Sequence, residues 1–295
     1  LLLTICVHAL PYLSLNPKKK KISSSKSYNL IINDILIIMQ PNKKKYLMTN
    51  KFKKYHFDDF TESHYNLLLK TAKKNYTFEN FGTKSNDPHI ILRHDVDISV
   101  HRALALAKIE KKHKICSTYF FRLRSEFYNI FEKPVLSKIH EIIKLGHNVG
   151  LHFDLLFYEK SKKNLIKNLN WEKKVLSELL DEKISVFSFH NPDTKNTLSI
   201  SDYRLSQMIN VYSKKIKNSY YYISDSNGYW RYSRLFDLLK NNNERKIQIL
   251  IHPGWWQKTA MSPRMRVARC VDERSKRTLK TYDLILKASK RKNIK

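Results

Sequence analysis

The stretch His89-Ile90-Ile91-Leu92-Arg93-His94-Asp95-Val96-Asp97 decides the reading of this chain. A compact apolar run, too short for a helix, ends abruptly in ionisable side chains, as a buried strand does where it reaches a functional rim. In an extended chain residues i and i+2 point to the same side, so Asp95 and Asp97 can share one site. The segment from Ser99 to Lys112 carries Ala103, Leu104, Leu106, Ala107 and Ile109, a helical spacing that makes the unit strand–loop–helix.

The same unit recurs downstream. Ile115–Phe121 is β-rich, and a helix begins near Pro134 and stops at Gly146, the usual placement of these two residues. His147–His152 is a short strand and Lys162–Leu180 a long helix. Further strands are expected at Ile184–Phe189, around Val211, at Tyr220–Ile223 and at Ile247–Ile251, with helices at Ser199–Met208, Arg234–Leu239 and Pro263–Ala288. About seven strands alternating with helices imply an α/β fold with a parallel sheet, closed as a barrel from about Pro88 to Ala288. Phe57–Lys74 is expected to add a helical cap.

Polar residues gather at the ends of the strands: His152-Phe153-Asp154, His190-Asn191-Pro192-Asp193, Asp225 and His252-Pro253-Gly254-Trp255-Trp256 join the first group. A lone strand-end His or Asp more often caps the next helix, and for Asp97 that bland alternative is an N-cap. Five strands delivering them to one rim point to an active site. Carboxylate plus imidazole suits Zn²⁺ or a similar divalent ion. Trp255 and Trp256 offer flat faces for stacking on sugar rings, or ordinary core packing.

These motifs resemble the polysaccharide deacetylases, carbohydrate esterases with a metal-bound Asp-His-His triad. His94-Asp95-Val96-Asp97 looks like a variant of that family's Thr-Phe-Asp-Asp, and Ser117-Thr118-Tyr119-Phe120-Phe121 of its Ala-Thr-Phe-Phe. Gly146-His147-Asn148-Val149-Gly150-Leu151-His152 matches its Gly-His-Glu-Ile-Gly with the following metal His, and Leu250-Ile251-His252 its closing Leu-x-His. The resemblance covers roughly residues 48 to 290 and implies a distorted (β/α)7 barrel of the polysaccharide deacetylase type. It implies a hydrolase that removes an N- or O-linked acetyl group from a carbohydrate and acts on non-peptide C–N bonds. Asp95 becomes the general base and His252 the general acid, while Asp97 and His152 become ligands of a divalent metal, zinc being the expected ion. Asp154, Trp255 and Trp256 are assigned to substrate. Two departures stand out: Val96 splits the Asp pair, and Leu156 occupies the position of the second metal His. His190, Asp154 or His94 could supply the missing ligand, with His190 preferred. Without it the alternative is an inert, sugar-binding relative.

Composition narrows the partners. The net charge is +30 over 295 residues, but the basic residues are spread along the chain and form no Arg-rich stripe. No nucleic-acid partner is expected, since phosphate binding needs clustered cations. No window reaches the 18 apolar residues of a membrane span, so no stable membrane insertion is expected. Three cysteines, Cys6, Cys116 and Cys270, suggest no disulfide framework and a reducing, cytoplasmic setting. Residues 1–47 are expected to be a poorly ordered extension, possibly non-native in origin. Its apolar run Leu1–Leu15 precedes Lys18–Lys21, the reverse of a secretory signal, although a signal anchor is the rival reading. The barrel domain is expected to occupy 48–295.

Overall fold

The structure is a computed structural model, and it describes residues 54–158, 162–192, 200–230 and 232–294. The expected extension over residues 1–47 and its boundary at Met48 lie outside the described residues. A 3-10 turn at Phe57–Phe60 leads into α1 (Glu62–Ala72), which Thr61 caps by accepting from the His64 backbone N–H at 3.2 Å. Then follow β1 (Thr77–Phe78), β2 (His89–Val96), α2 (Val100–Lys112), β3 (Thr118–Phe121), α3 (Lys133–Lys144) and β4 (Asn148–Phe153). The second half contains α4 (Lys162–Leu180), β5 (Val186–Phe189), β6 (Arg204–Leu205), β7 (Met208–Asn210), α5 (Lys214–Ser219), β8 (Tyr221–Ser224), α6 (Leu235–Asn241), β9 (Lys246–Ile251) and α7 (Pro263–Ala288).

Seven strands run parallel in the order β7-β5-β4-β3-β2-β9-β8, with β6 antiparallel on the β7 edge and β1 paired to the start of β2. This is the distorted (β/α)7 barrel expected, left open between β7 and β8. Tyr212, just beyond β7, and Tyr222 on β8 both line the cavity at that seam. β2 is buried along its whole length: Ile90, Ile91 and Leu92 form its apolar start, and Arg93, His94 and Asp95 are buried beyond them.

One expected element is replaced. The helix expected at Ser199–Met208 is, where described, a loop and the β6–β7 hairpin. Ser206 and Gln207 have φ of 50° and 63°, the two left-handed residues of a tight hairpin turn, and a helix cannot pass through them. The Asn210 side chain donates to Ile200 O at 3.0 Å and Asp202 O at 3.3 Å, tying the incoming loop to the hairpin.

Two apolar layers hold the helices to the sheet. Phe121, Leu151, Phe153 and Phe187 pack under α3 and α4 with Ile139, Leu169 and Leu176. Phe60, Tyr65, Leu68 and Leu69 from the cap cover Leu92, Ile249 and Ile251. All of these are at most 4 % exposed. Truncating any of the large ones would cost on the order of 2–5 kcal/mol.

Candidate active site

Alternation along β2 sorts its polar residues into two environments. His94 turns outward under the helices. Its ring stacks on Tyr119 at 4.2 Å and its Nε2 lies 2.8 Å from Glu110 Oε1 on α2. Glu110 also accepts from Tyr65, Ser117 and Tyr119 at 2.6, 2.6 and 3.1 Å. Burial would raise the Glu110 carboxyl, but His94, His147 and Ser117 outweigh it and bring its pKa to about 2. His94 is therefore withdrawn from the set of possible metal ligands: the pleat sends it into the helix layer.

Arg93 and Asp95 turn inward, and Asp97 follows just beyond the strand end. The helix cap at this point is Ser99, which accepts from the Arg102 backbone N–H, so Asp97 is not spent on capping. Asp97 meets three imidazoles. His152 Nε2, from β4, lies 3.0 Å from its Oδ1. His190 Nε2, from the end of β5, lies 3.9 Å from the same atom, and His252 Nε2, from the end of β9, 3.8 Å from Oδ2. Burial would raise the Asp97 carboxyl, yet His152, His252 and His190 together hold it well below the usual carboxylate range.

Each imidazole is oriented from behind. His152 Nδ1 lies 2.7 Å from Ser188 Oγ, and Ser188 in turn reaches Asp95 Oδ1 at 3.5 Å. His190 Nδ1 lies 2.7 Å from Asp154 Oδ2. His252 Nδ1 lies 2.6 Å from Asp225 Oδ1. Asp225 is fully buried and also accepts the His252 backbone N–H at 3.0 Å and the Trp256 indole N–H at 2.8 Å. Burial lowers the affinity of His252 for its proton, but Asp225, Asp97 and Asp95 more than offset this and raise its pKa to about 9. Asp95 is 2 % exposed, 3.8 Å from His152 Nε2 and 3.4 Å from the Arg93 guanidinium. Arg93 is held by the Tyr212 hydroxyl, to which it donates at 2.7 Å.

The three residues assigned to substrate lie elsewhere. Asp154 is 5 % exposed and sits behind His190, accepting from Arg122 at 2.8 Å and the Leu156 backbone N–H at 2.9 Å. Its place is that of a positioning group, because a carboxylate two residues beyond His152 is pulled back by Arg122. Trp256 is fully buried against Phe60 and Tyr65. Trp255 packs over Gly228, away from the cleft. The aromatic walls of the adjoining cavity, about 570 Å³ in volume, are instead Tyr212, Tyr221, Tyr222 and Tyr232, and its floor is Asp95, Asp97, His152, His190 and His252. Tyr221 and Tyr222 lie in a strand whose polar and apolar alternation is too brief to mark a ligand face in sequence.

Arg93, Ser188 and Arg122 carry no role in the sequence reading, and Asp225 enters it only as a strand-end carboxylate on the rim. Arg93 had a further readable signal, since 93, 95 and 97 share the i, i+2, i+4 face. The partners of His152 and His252 come from neighbouring strands and depend on register.

Donor chemistry at Asp97 fits a divalent ion. Its Oδ1 is buried and makes no hydrogen bond, and it faces two Nε2 atoms whose rings are held at Nδ1. Metal-binding histidines are commonly held in this way. Among the described residues no group of three or more His, Cys, Asp or Glu side chains is spaced to hold a metal ion as the structure stands. The orphaned oxygen weighs more than that spacing, because a buried carboxylate oxygen without a donor is costly unless a cation faces it. Leu156, where the second metal His was expected, lies in the 3-10 turn Leu155–Phe157 and is 49 % exposed.

No protein-family model matches the chain, and no curated protein matches it. Among solved structures it is similar to a CE4 family pseudoenzyme from Bacillus anthracis, with 14 % identity, a TM-score of 0.38, and coverage of 64 % of this chain and 62 % of that one. The match thus spans less than two thirds of that relative's length. It is similar to peptidoglycan deacetylase PdaC from Bacillus subtilis, with 15 % identity, a TM-score of 0.37, and coverage of 64 % and 85 %. It is also similar to the Streptococcus pyogenes deacetylase PplD in complex with acetate, with 13 % identity, a TM-score of 0.35, and coverage of 70 % and 85 %.

Proposed function

We propose that the chain is a metal-dependent carbohydrate deacetylase whose centre is Asp97. The observation that carries this reading is the buried, unbonded Asp97 Oδ1 facing His152 and His190, with Asp95 and His252 to either side. Asp97, His152 and His190 would hold a divalent ion, with zinc favoured by the mixed imidazole–carboxylate donors. When bound, the ion supplies Lewis acidity and a water of lowered pKa.

The chain's own residues account for the proton movements. Asp95 accepts a proton from the attacking water. Arg93 and Ser188 fix the orientation of its carboxylate. His252 enters the reaction protonated, as its raised pKa requires, and donates from Nε2 to the departing nitrogen or oxygen of the sugar. Asp225 keeps the other proton on Nδ1 and holds the ring in place. The tyrosine-lined cavity beside these groups is suited to a sugar ring, which stacks on flat aromatic faces while the hydroxyls bond to it.

The barrel domain is assigned to residues 48–295. Cys116 and Cys270 are unpaired, which supports a reducing, cytoplasmic setting. Two measurements test the proposal: the metal content of the purified protein, and acetate release from N-acetylated and O-acetylated oligosaccharides. A second reading, an inert sugar-binding relative, is favoured by Leu156 and the open spacing of the donors. It predicts sugar binding with neither metal nor acetate release.

A further inference from the structure

The cavity at the candidate active site does not stop at the rim. Gln248 and Leu250 share one face of β9, His252 continues it just past the strand end, and all three line the cavity. Four residues of extended chain separate Gln248 from His252, so the cavity descends about 13 Å into the barrel. It descends along the gap between β7 and β8. Among the described residues β8 pairs with β9 alone, and its other edge carries no strand. Tyr221 and Tyr222 of that edge strand are 37 and 46 % exposed and line the cavity. The gap is open to solvent there, so a bound chain can continue through it rather than end inside the barrel.

Gln248 narrows what the gap can take. It lies in register between Ile91 of β2 and Tyr222 of β8 and is 2 % exposed. Among the described residues no group bonds to its carboxamide, which is left to the cavity. A buried amide without partners is costly, and one that faces a cavity is satisfied by what enters it. The carboxamide offers two donors and an acceptor. Neighbouring hydroxyls of a sugar each donate and accept, and so satisfy both ends. An acyl chain would leave the amide unpaired. A polyanion would meet Lys217, exposed at the cavity edge, as the one lysine or arginine among the described residues that line it. Tyr222, one strand away from Gln248 at about 5 Å, sets a flat ring beside the amide for stacking on the same sugar.

Resting on the carbohydrate reading of the site, we propose that the β7–β8 gap is a subsite for a second sugar of a neutral oligosaccharide, with Gln248 bonding its hydroxyls. The test is calorimetric titration of the full chain with N-acetylglucosamine and with its β-linked tetramer, in an Asp95→Asn background that keeps the sugars intact. The tetramer should bind at least about tenfold more tightly than the monomer. D95N/Q248L should bind the tetramer about tenfold more weakly than D95N, since the bonds to the amide are lost. The amide bonds no protein group, so Gln248→Leu should not lower the melting temperature; a fall would show a structural role for it and overturn the proposal. Equal affinity for monomer and tetramer, or binding of neither, overturns it too. So does D95N/Q248L that binds the tetramer like D95N, which would leave the amide to water. Tighter binding of N-dodecanoylglucosamine than of the tetramer would assign the gap to an acyl chain and sink the subsite. Acetate release is read separately on the parent. Tetramer preference without acetate release would refute the deacetylase and leave the subsite standing, and acetate release without tetramer preference would do the reverse.

Discussion

Replacing Asp225 by Asn tests the electrostatics of the proposed acid directly. His252 is 16 % exposed, and its pKa rises from 6.5 to about 9 because Asp225, Asp97 and Asp95 outweigh the cost of burial. Asp225 is the largest of these influences. A shift of that size corresponds to about 3 kcal/mol favouring the protonated ring in the folded state. The folded pKa lies above the unfolded one. The contribution is therefore complete below about pH 6.5 and disappears as pH rises through about 9. In Asp225→Asn the carboxylate charge is gone while burial remains, so the pKa should fall well below 9, with only Asp97 and Asp95 left to offset burial. The amide also keeps one acceptor for the three N–H groups now facing Asp225, and the variant should lose on the order of 1–3 kcal/mol of stability. The assay is an NMR titration of the His252 ring in protein stripped of metal by chelation, paired with melting curves from pH 6 to 9. The parent should lose stability across this window, and Asp225→Asn should show a flatter profile. A His252 pKa that stays near 9 in the variant would refute the assignment of the shift to Asp225.

Four further outcomes follow from the same geometry. Asp97→Asn should release the bound metal, whereas Asp95→Asn should retain it and lose acetate release; metal analysis and turnover on the same samples separate the two carboxylates. Asp154→Asn removes the charge behind His190 and leaves a single amide oxygen for His190, Arg122 and the Leu156 N–H, and it should weaken metal affinity about 10- to 100-fold by competition titration, without touching the cavity wall. Glu110→Gln leaves His94 and a set of buried hydroxyls short of their charged acceptor and should cost on the order of 3–5 kcal/mol in denaturant unfolding. Because the Glu110 pKa is depressed to about 2, the parent should also lose this contribution as pH falls from about 4.5 toward 2, and Glu110→Gln should not. Chain beginning at Met48 should melt at the same temperature as the full chain in calorimetry, if residues 48–295 form the domain.

The strand–helix alternation was legible in sequence because burial writes itself into composition. β2 shows its burial in the apolar run Ile90-Ile91-Leu92, and α4 and α7 have the limits their periodicity implied. The i, i+2 rule likewise placed Asp95 and Asp97 on one side of the chain. The hairpin at β6–β7 was not legible, because two left-handed residues, Ser206 and Gln207, are neither Gly nor Asn and carry no turn signature. Only the tertiary structure decided which partner each ionisable group finds. Asp154 and Trp256 looked as free to meet substrate as His252 did, yet Arg122 draws the first behind His190 and Asp225 draws the indole of the second into the core. Local sequence specifies the face on which a side chain emerges. The register between strands far apart in the chain sets which charge lies within a few ångströms of it, and at that range Coulomb and hydrogen-bond energies decide its role.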